Sequence, residues 1–158
     1  MSSPVFIIGG SRTGSELLKS LLARYAEFAF VNEMHLLSPW WLHEDFSTVV
    51  SKEVGGFGSA LSGTAIVALI QSGRFFGYFW KEFGEVIDES RFCEVFDATD
   101  RQIKDVLYVS MQMYAEAKGK NRIGAKFPVH YSFADKLVEW FPDCRIIHTV
   151  RDPRAIYA

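Results

Sequence analysis

Apolar and polar positions come in blocks along this chain, and the blocks change period in a regular way. Val5 to Ile8 is a short continuous apolar run, the signature of a buried strand. Small residues from Gly9 to Ser15 follow, and then Leu17, Leu18, Leu21 and Leu22 recur at helical spacing on one side. This predicts a strand, a tight loop and a helix ending near Arg24 to Ala26. Phe28 to Val31 is again short, apolar and flanked by charge, which predicts a second buried strand running into Asn32, Glu33, Met34 and His35. Ser38-Pro39 reads as a helix start, with the proline at the first helical position, and Gly55 to Gly58 reads as a connector.

The pattern then predicts helices over 59–71 and 75–88. The second carries an aromatic stripe of Phe75, Phe76, Phe79, Trp80 and Phe83 that belongs to a core. Asp97 to Asp100 offer caps for a helix over about 101–118, with Ile103, Val106, Leu107, Ser110, Met111 and Tyr114 on one side. Gly119-Lys120-Asn121 ends it. A strand over Ile123 to Phe127, a helix from about Tyr131 to Trp140 and a strand over Arg145 to Val150 complete the series. Such alternation of strand and helix predicts a three-layer α/β/α fold on a central parallel sheet, as one domain over 1–158.

Composition narrows the partners. With 158 residues, 49% of them hydrophobic and 23% charged, the chain can bury a sizeable core. A net charge of −2 and a sequence pI near 6.1 give no basic field, so no nucleic-acid partner is expected. Cys93 and Cys144 are isolated and the four histidines do not cluster with them, so free thiols in a reducing compartment and no metal are expected. The first apolar run is too short for a secretory signal, and nothing approaches the roughly 20 apolar residues of a spanning helix. A cytoplasmic location follows as the expectation.

The candidate chemistry sits at strand ends. Backbone N–H groups around Gly9, Gly10 and Gly14 can curl into a nest, and the next helix adds unpaired donors and the positive end of its dipole. An anion suits that place, which makes the fold P-loop-like. Gly9 and Gly14 match the first half of the Walker A pattern, but Ser15 and Glu16 stand where its lysine and its metal-binding hydroxyl belong. An ordinary ATPase or GTPase is therefore disfavoured. The cation inside this loop is Arg12. A second strand end carries Arg151-Asp152-Pro153-Arg154.

The run Ser11-Arg12-Thr13-Gly14-Ser15-Glu16 resembles the 5′-phosphosulfate loop of the sulfotransferases that use 3′-phosphoadenosine 5′-phosphosulfate (PAPS), written PRSGTT or KSGTT. Ser11 replaces the proline and Glu16 the second threonine. The resemblance implies that Glu16 lends its backbone N–H while its carboxylate points away from the anion. Phe141 to Ala158 resembles the family's FPxAKxIxxxRDPR segment, which implies Arg151 as the 3′-phosphate ligand, with Asp152 and Arg154 as scaffold. Gly124 to His130 resembles GxKxPxH and makes Lys126 the cationic stabiliser.

Family position names Glu33 as the base that activates the acceptor. His35 is the alternative, easier to use near neutral pH than a carboxylate among cations. The resemblance implies PAPS as donor, PAP (3′-phosphoadenosine 5′-phosphate) as product and no metal. The acceptor it implies is a hydroxyl or amine of a carbohydrate, small molecule or protein. The family pattern continues beyond RDPR, so the chain reads as C-terminally truncated. Two other readings stay open: a nucleotide or small-molecule kinase with a degenerate P-loop, and a non-catalytic nucleotide-binding or assembly module. The oligomeric state is not legible.

Overall fold

The computed structural model describes residues 3–34, 36–37, 49–50, 61–72, 78–152 and 154, without the side chains of 78, 80 and 128–130. Its sheet has four strands: β1 (Val5–Gly9), β2 (Phe28–Asn32), β3 (Arg122–Lys126) and β4 (Arg145–Thr149). They are all parallel, in the order β2-β3-β1-β4. Helix α1 (Ser15–Tyr25) joins β1 to β2, and α2 (Gly63–Gln71), α3 (Tyr78–Val86), α4 (Glu89–Asp97) and α5 (Ile103–Ala117) precede β3. A 3-10 helix (Pro128–Phe133) leads into α6 (Ala134–Trp140) and then β4.

Strand alternation sorts the side chains into two cores. Phe6, Ile8, Ala29, Val31, Ile123 and Ala125 face the larger one, shared with buried residues of α2 to α6. Val5, Ile7, Phe28 and Phe30 face the other, covered by Leu18, Leu22 and Ala26 at α1. Helices therefore cover both faces of the parallel sheet, as the alternation predicts. Lys126 pairs with Ile7 on one side and Asn32 on the other, which places it on the α1 face at the end of β3.

The helix predicted over 59–71 starts only at Gly63, behind Ser62 as its N-cap, and the structure differs from the sequence pattern in four further places. Only half of the leucine stripe of α1 is covered: Leu17 is 67% and Leu21 47% exposed. The predicted helix over 75–88 stops at Val86, and a separate helix that the pattern did not predict starts at Glu89. Its N-cap is Asp88, whose Oδ1 accepts the Arg91 N–H at 2.9 Å. Asp97 to Asp100 do not cap α5. The cap is Gln102, whose N–H donates to Asp105 at 2.9 Å, whereas Asp97 accepts the Gly63 N–H at 2.8 Å and so serves the start of α2. Finally, the segment after β3 begins as a 3-10 helix at Pro128, ahead of the predicted start at Tyr131.

Phe79 and Phe83 of the aromatic stripe are buried, edge to face at 5.8 Å, and Phe83 packs in the same way on Phe92. These two belong to the core, as expected. The helix start at Ser38-Pro39, the Gly55 to Gly58 connector, Phe75 and Phe76 lie outside the described residues.

Candidate active site

Parallel strands bring all four C-terminal ends to one edge of the sheet, where open α/β sheets handle ligands. At the end of β1, Gly9 lies against β4. A Cβ there would sit 2.3 Å from the Thr149 carbonyl oxygen, so only glycine allows the two strands to pair to their last residue. Thr13 pins the loop that follows. Its Oγ1 is 2.7 Å from both the Gly10 carbonyl and Thr149 Oγ1, and Thr149 Oγ1 is 3.2 Å from the Ile8 carbonyl. Two hydroxyl protons serve three contacts, so the clasp always keeps two of them.

Left-handed backbone at Arg12 (φ 64°) and Gly14 (φ 89°) curls the loop. Gly14 is the N-cap of α1 and no side chain caps that helix. The Leu18 N–H donates to the Gly14 carbonyl at 3.1 Å, so helix geometry leaves the N–H groups of Ser15, Glu16 and Leu17 pointing out of the first turn. Those donors and the helix dipole favour an anion.

The β3 end supplies a cation from beneath. Lys126 is buried, at 5% exposure, and its Nζ lies 3.1 Å from Glu16 Oε2 and 3.3 Å from Glu33 Oε1. Glu16 also pairs with Lys19 one turn along α1. The expectation that the Glu16 carboxylate points away from the site is thus corrected. Lys126 shares the α1 face of the sheet and draws that carboxylate in. Burial pushes the Glu16 carboxyl up, but hydrogen bonds and charge from Lys19 and Lys126 outweigh it and hold its pKa below the usual value.

Glu33 adopts a left-handed conformation (φ 44°), and its N–H donates to the Lys126 carbonyl at 3.2 Å, one step beyond the β2–β3 ladder. Beside it, the side-chain oxygen of Asn32 is buried and has no partner among the described residues.

Arg151 reaches in from the β4 end. Its Nη1 donates to the Arg12 carbonyl at 3.3 Å, joining the two arginine-bearing segments. Asp152 accepts the Arg154 N–H at 2.9 Å and pairs with its guanidinium at 2.6 Å. Hydrogen bonds from Arg154 lower the Asp152 pKa.

One cavity of ≈ 580 Å³ is lined by Ser11, Arg12, Gly14, Ser15, Glu16, Glu33, Lys126 and Arg151. Four separate segments of the chain meet there, at a size typical of a small-molecule site. Of the residues singled out in the sequence, Thr13 stands behind this wall as the loop clasp, and His35 lies outside the described residues. Two neighbours went unnoticed. Lys19 was signalled by its i,i+3 spacing from Glu16, and Thr149 by a hydroxyl at the end of an apolar strand. Chemically, three cations and free helix N–H groups can hold an anion, and the two carboxylates beside them can accept a proton. Among the described residues, no group of three or more His, Cys, Asp or Glu could hold a metal, and no helix is long and apolar enough to cross a membrane.

A solved structure, the sulfotransferase STF9 from Mycobacterium avium, is 16% identical with a TM-score of 0.42. The match covers 96% of this chain and 43% of that one, so the chain spans less than half of its length. Curated protein sequences gave no match. The profile of the sulfotransferase family matches residues 4–158. A match over that span shows that the chain belongs to the sulfotransferase family.

Proposed function

We propose that this chain carries the donor site of a PAPS-dependent sulfotransferase that transfers a sulfuryl group to a hydroxyl or amine of a carbohydrate, small molecule or protein. The observation that supports it is the single cavity shared by Arg12, Lys126, Arg151 and the uncapped start of α1. Those groups suit a donor that has separate anionic centres, and PAPS supplies a sulfuryl group already bonded to a phosphate leaving group.

Arg12 and the N–H groups of Ser15 and Glu16 hold the 5′-phosphosulfate end, with Ser11, Thr13 and Gly14 shaping the loop. Arg151, on the neighbouring strand end, takes the 3′-phosphate. Its planar guanidinium offers paired, charge-assisted donors, each worth about 1.5–3 kcal/mol where water is excluded. Lys126 stabilises the negative charge that grows on the leaving oxygen as the sulfur–oxygen bond to phosphate breaks. Glu33 receives the acceptor proton as the new bond to sulfur forms. The Glu33 to Lys126 contact keeps base and stabiliser side by side. By analogy with phosphoryl transfer, alignment and charge stabilisation are most of the work, so cations alone can suffice. His35 is the second candidate for the base. The free thiols of Cys93 and Cys144 fit a cytoplasmic site of action.

Calorimetric titration with PAP, and with ATP in the presence and absence of Mg²⁺, tests this reading. Saturable PAP binding without metal, and no comparable binding of ATP, is the expected result. A preference for ATP with Mg²⁺ would favour the kinase reading instead, and a folded chain that ignores PAP would overturn the donor assignment.

A further inference from the structure

Two carboxylates share Lys126, and they are held very differently. Glu33 is fixed by its backbone bond to Lys126 and its side chain is 26% exposed. The Glu16 side chain is 59% exposed and has a second cation, Lys19, on its own helix. Lys126 itself has little freedom, with a side chain 6% exposed. Glu16 therefore is the member of this cluster that can leave without losing all its charge compensation. It also stands on the first turn of α1, beside the free N–H groups, in the cavity that an anion would occupy.

We propose that Glu16 is a resident competitor of the donor. Its carboxylate takes the place on Lys126 that an anionic ligand group needs, and binding moves it off Lys126 while it stays on Lys19. The proposal rests on the donor reading above and adds a selectivity element to it. A ligand must be held by enough groups to displace the carboxylate, so an anion with two or more charged centres, such as pyrophosphate or a nucleotide that carries two phosphates, is admitted and a simple sulfate ion is not. Glu16 thus sets a threshold for occupancy.

The experiment compares the wild-type chain with Glu16→Gln and Glu16→Thr, titrated with PAP, inorganic pyrophosphate and sulfate at constant ionic strength, after thermal unfolding has verified that each variant folds. Both variants are expected to bind PAP and pyrophosphate about three- to tenfold more tightly, the scale of one like-charge contact in a largely solvated setting. Sulfate binding should become measurable. Lys19→Met should weaken PAP binding in the wild-type background and have little effect when combined with Glu16→Gln, a non-additivity that simple charge loss does not give.

Unchanged or weaker binding by both Glu16 variants would overturn the proposal. If wild type binds PAP and the variants do so no more tightly, the Glu16 role fails alone. Should pyrophosphate bind more tightly to the variants while PAP binds to none, the donor reading fails, and with it Glu16 as competitor of that donor, leaving only a carboxylate that competes with another anion. Binding of neither probe to any protein would end both.

Discussion

The two arms of the cavity are built to different standards. The arm made by β1, α1 and β3, with Thr149 of β4 against it, is interlocked: Gly9 lies tight against Thr149, Thr13 clasps the loop to it, and Lys126 is buried between two carboxylates. The other arm, just past Thr149 at the end of β4, is exposed. Arg151 and Asp152 are exposed, Val150 is 77% exposed, and Arg151 is tied to the loop by one bond of 3.3 Å. The difference separates two tasks. A preorganised cradle suits the reacting end of a donor, where small errors in position cost rate, whereas an exposed arginine suits recognition of a remote phosphate.

Substitutions in the two arms should therefore behave differently. Lys126→Met removes the buried cation and leaves Glu16 and Glu33 without it, so PAP affinity should fall on the order of 100-fold, as measured by calorimetry. Arg12→Ala takes an exposed cation from the rim, and a loss of about tenfold in PAP affinity with an unchanged melting temperature is expected. Thr13→Val breaks the clasp and should lower stability by about 1 kcal/mol, or roughly 2–4 °C in thermal unfolding.

The smallest effect concerns pH. Because the Glu16 pKa is lowered in the folded chain, its ion pairs stabilise the fold above the ordinary carboxylate range and stop doing so as the pH falls through the lowered value. A stability difference between wild type and Glu16→Gln should therefore be present near neutrality and vanish in acid. Since the Glu16 side chain is largely exposed, the difference should stay within about 1 kcal/mol in denaturant titrations.

What the sequence made legible was local. The strand, glycine-rich loop and leucine spacing of residues 5–22 fix a motif over contiguous positions, and residues 145–152 do the same at the other end. Contacts across the sheet were not legible. Glu16 turns inward because of Lys126, far along the chain and brought beneath α1 only by the register of β3 on β1. The α3–α4 break was hidden for a related reason: the apolar period continues through Val86 and Ile87, and only the cap geometry of Asp88 marks the restart. Asp97 has the chemistry of a cap, but the helix it serves is α2, which packs beside it. A cap identified from sequence specifies a role without its recipient.

The central claim is that two segments far apart in sequence, at Arg12 and Arg151, close on one donor. Its most direct test is the affinity of the wild type and of Arg151→Ala for PAP and for 5′-AMP, which lacks the 3′-phosphate. Wild type should prefer PAP by about tenfold or more, and Arg151→Ala should lose that preference while keeping its affinity for 5′-AMP. Equal affinity of the wild type for the two nucleotides, or an undiminished PAP preference in the variant, would contradict the account.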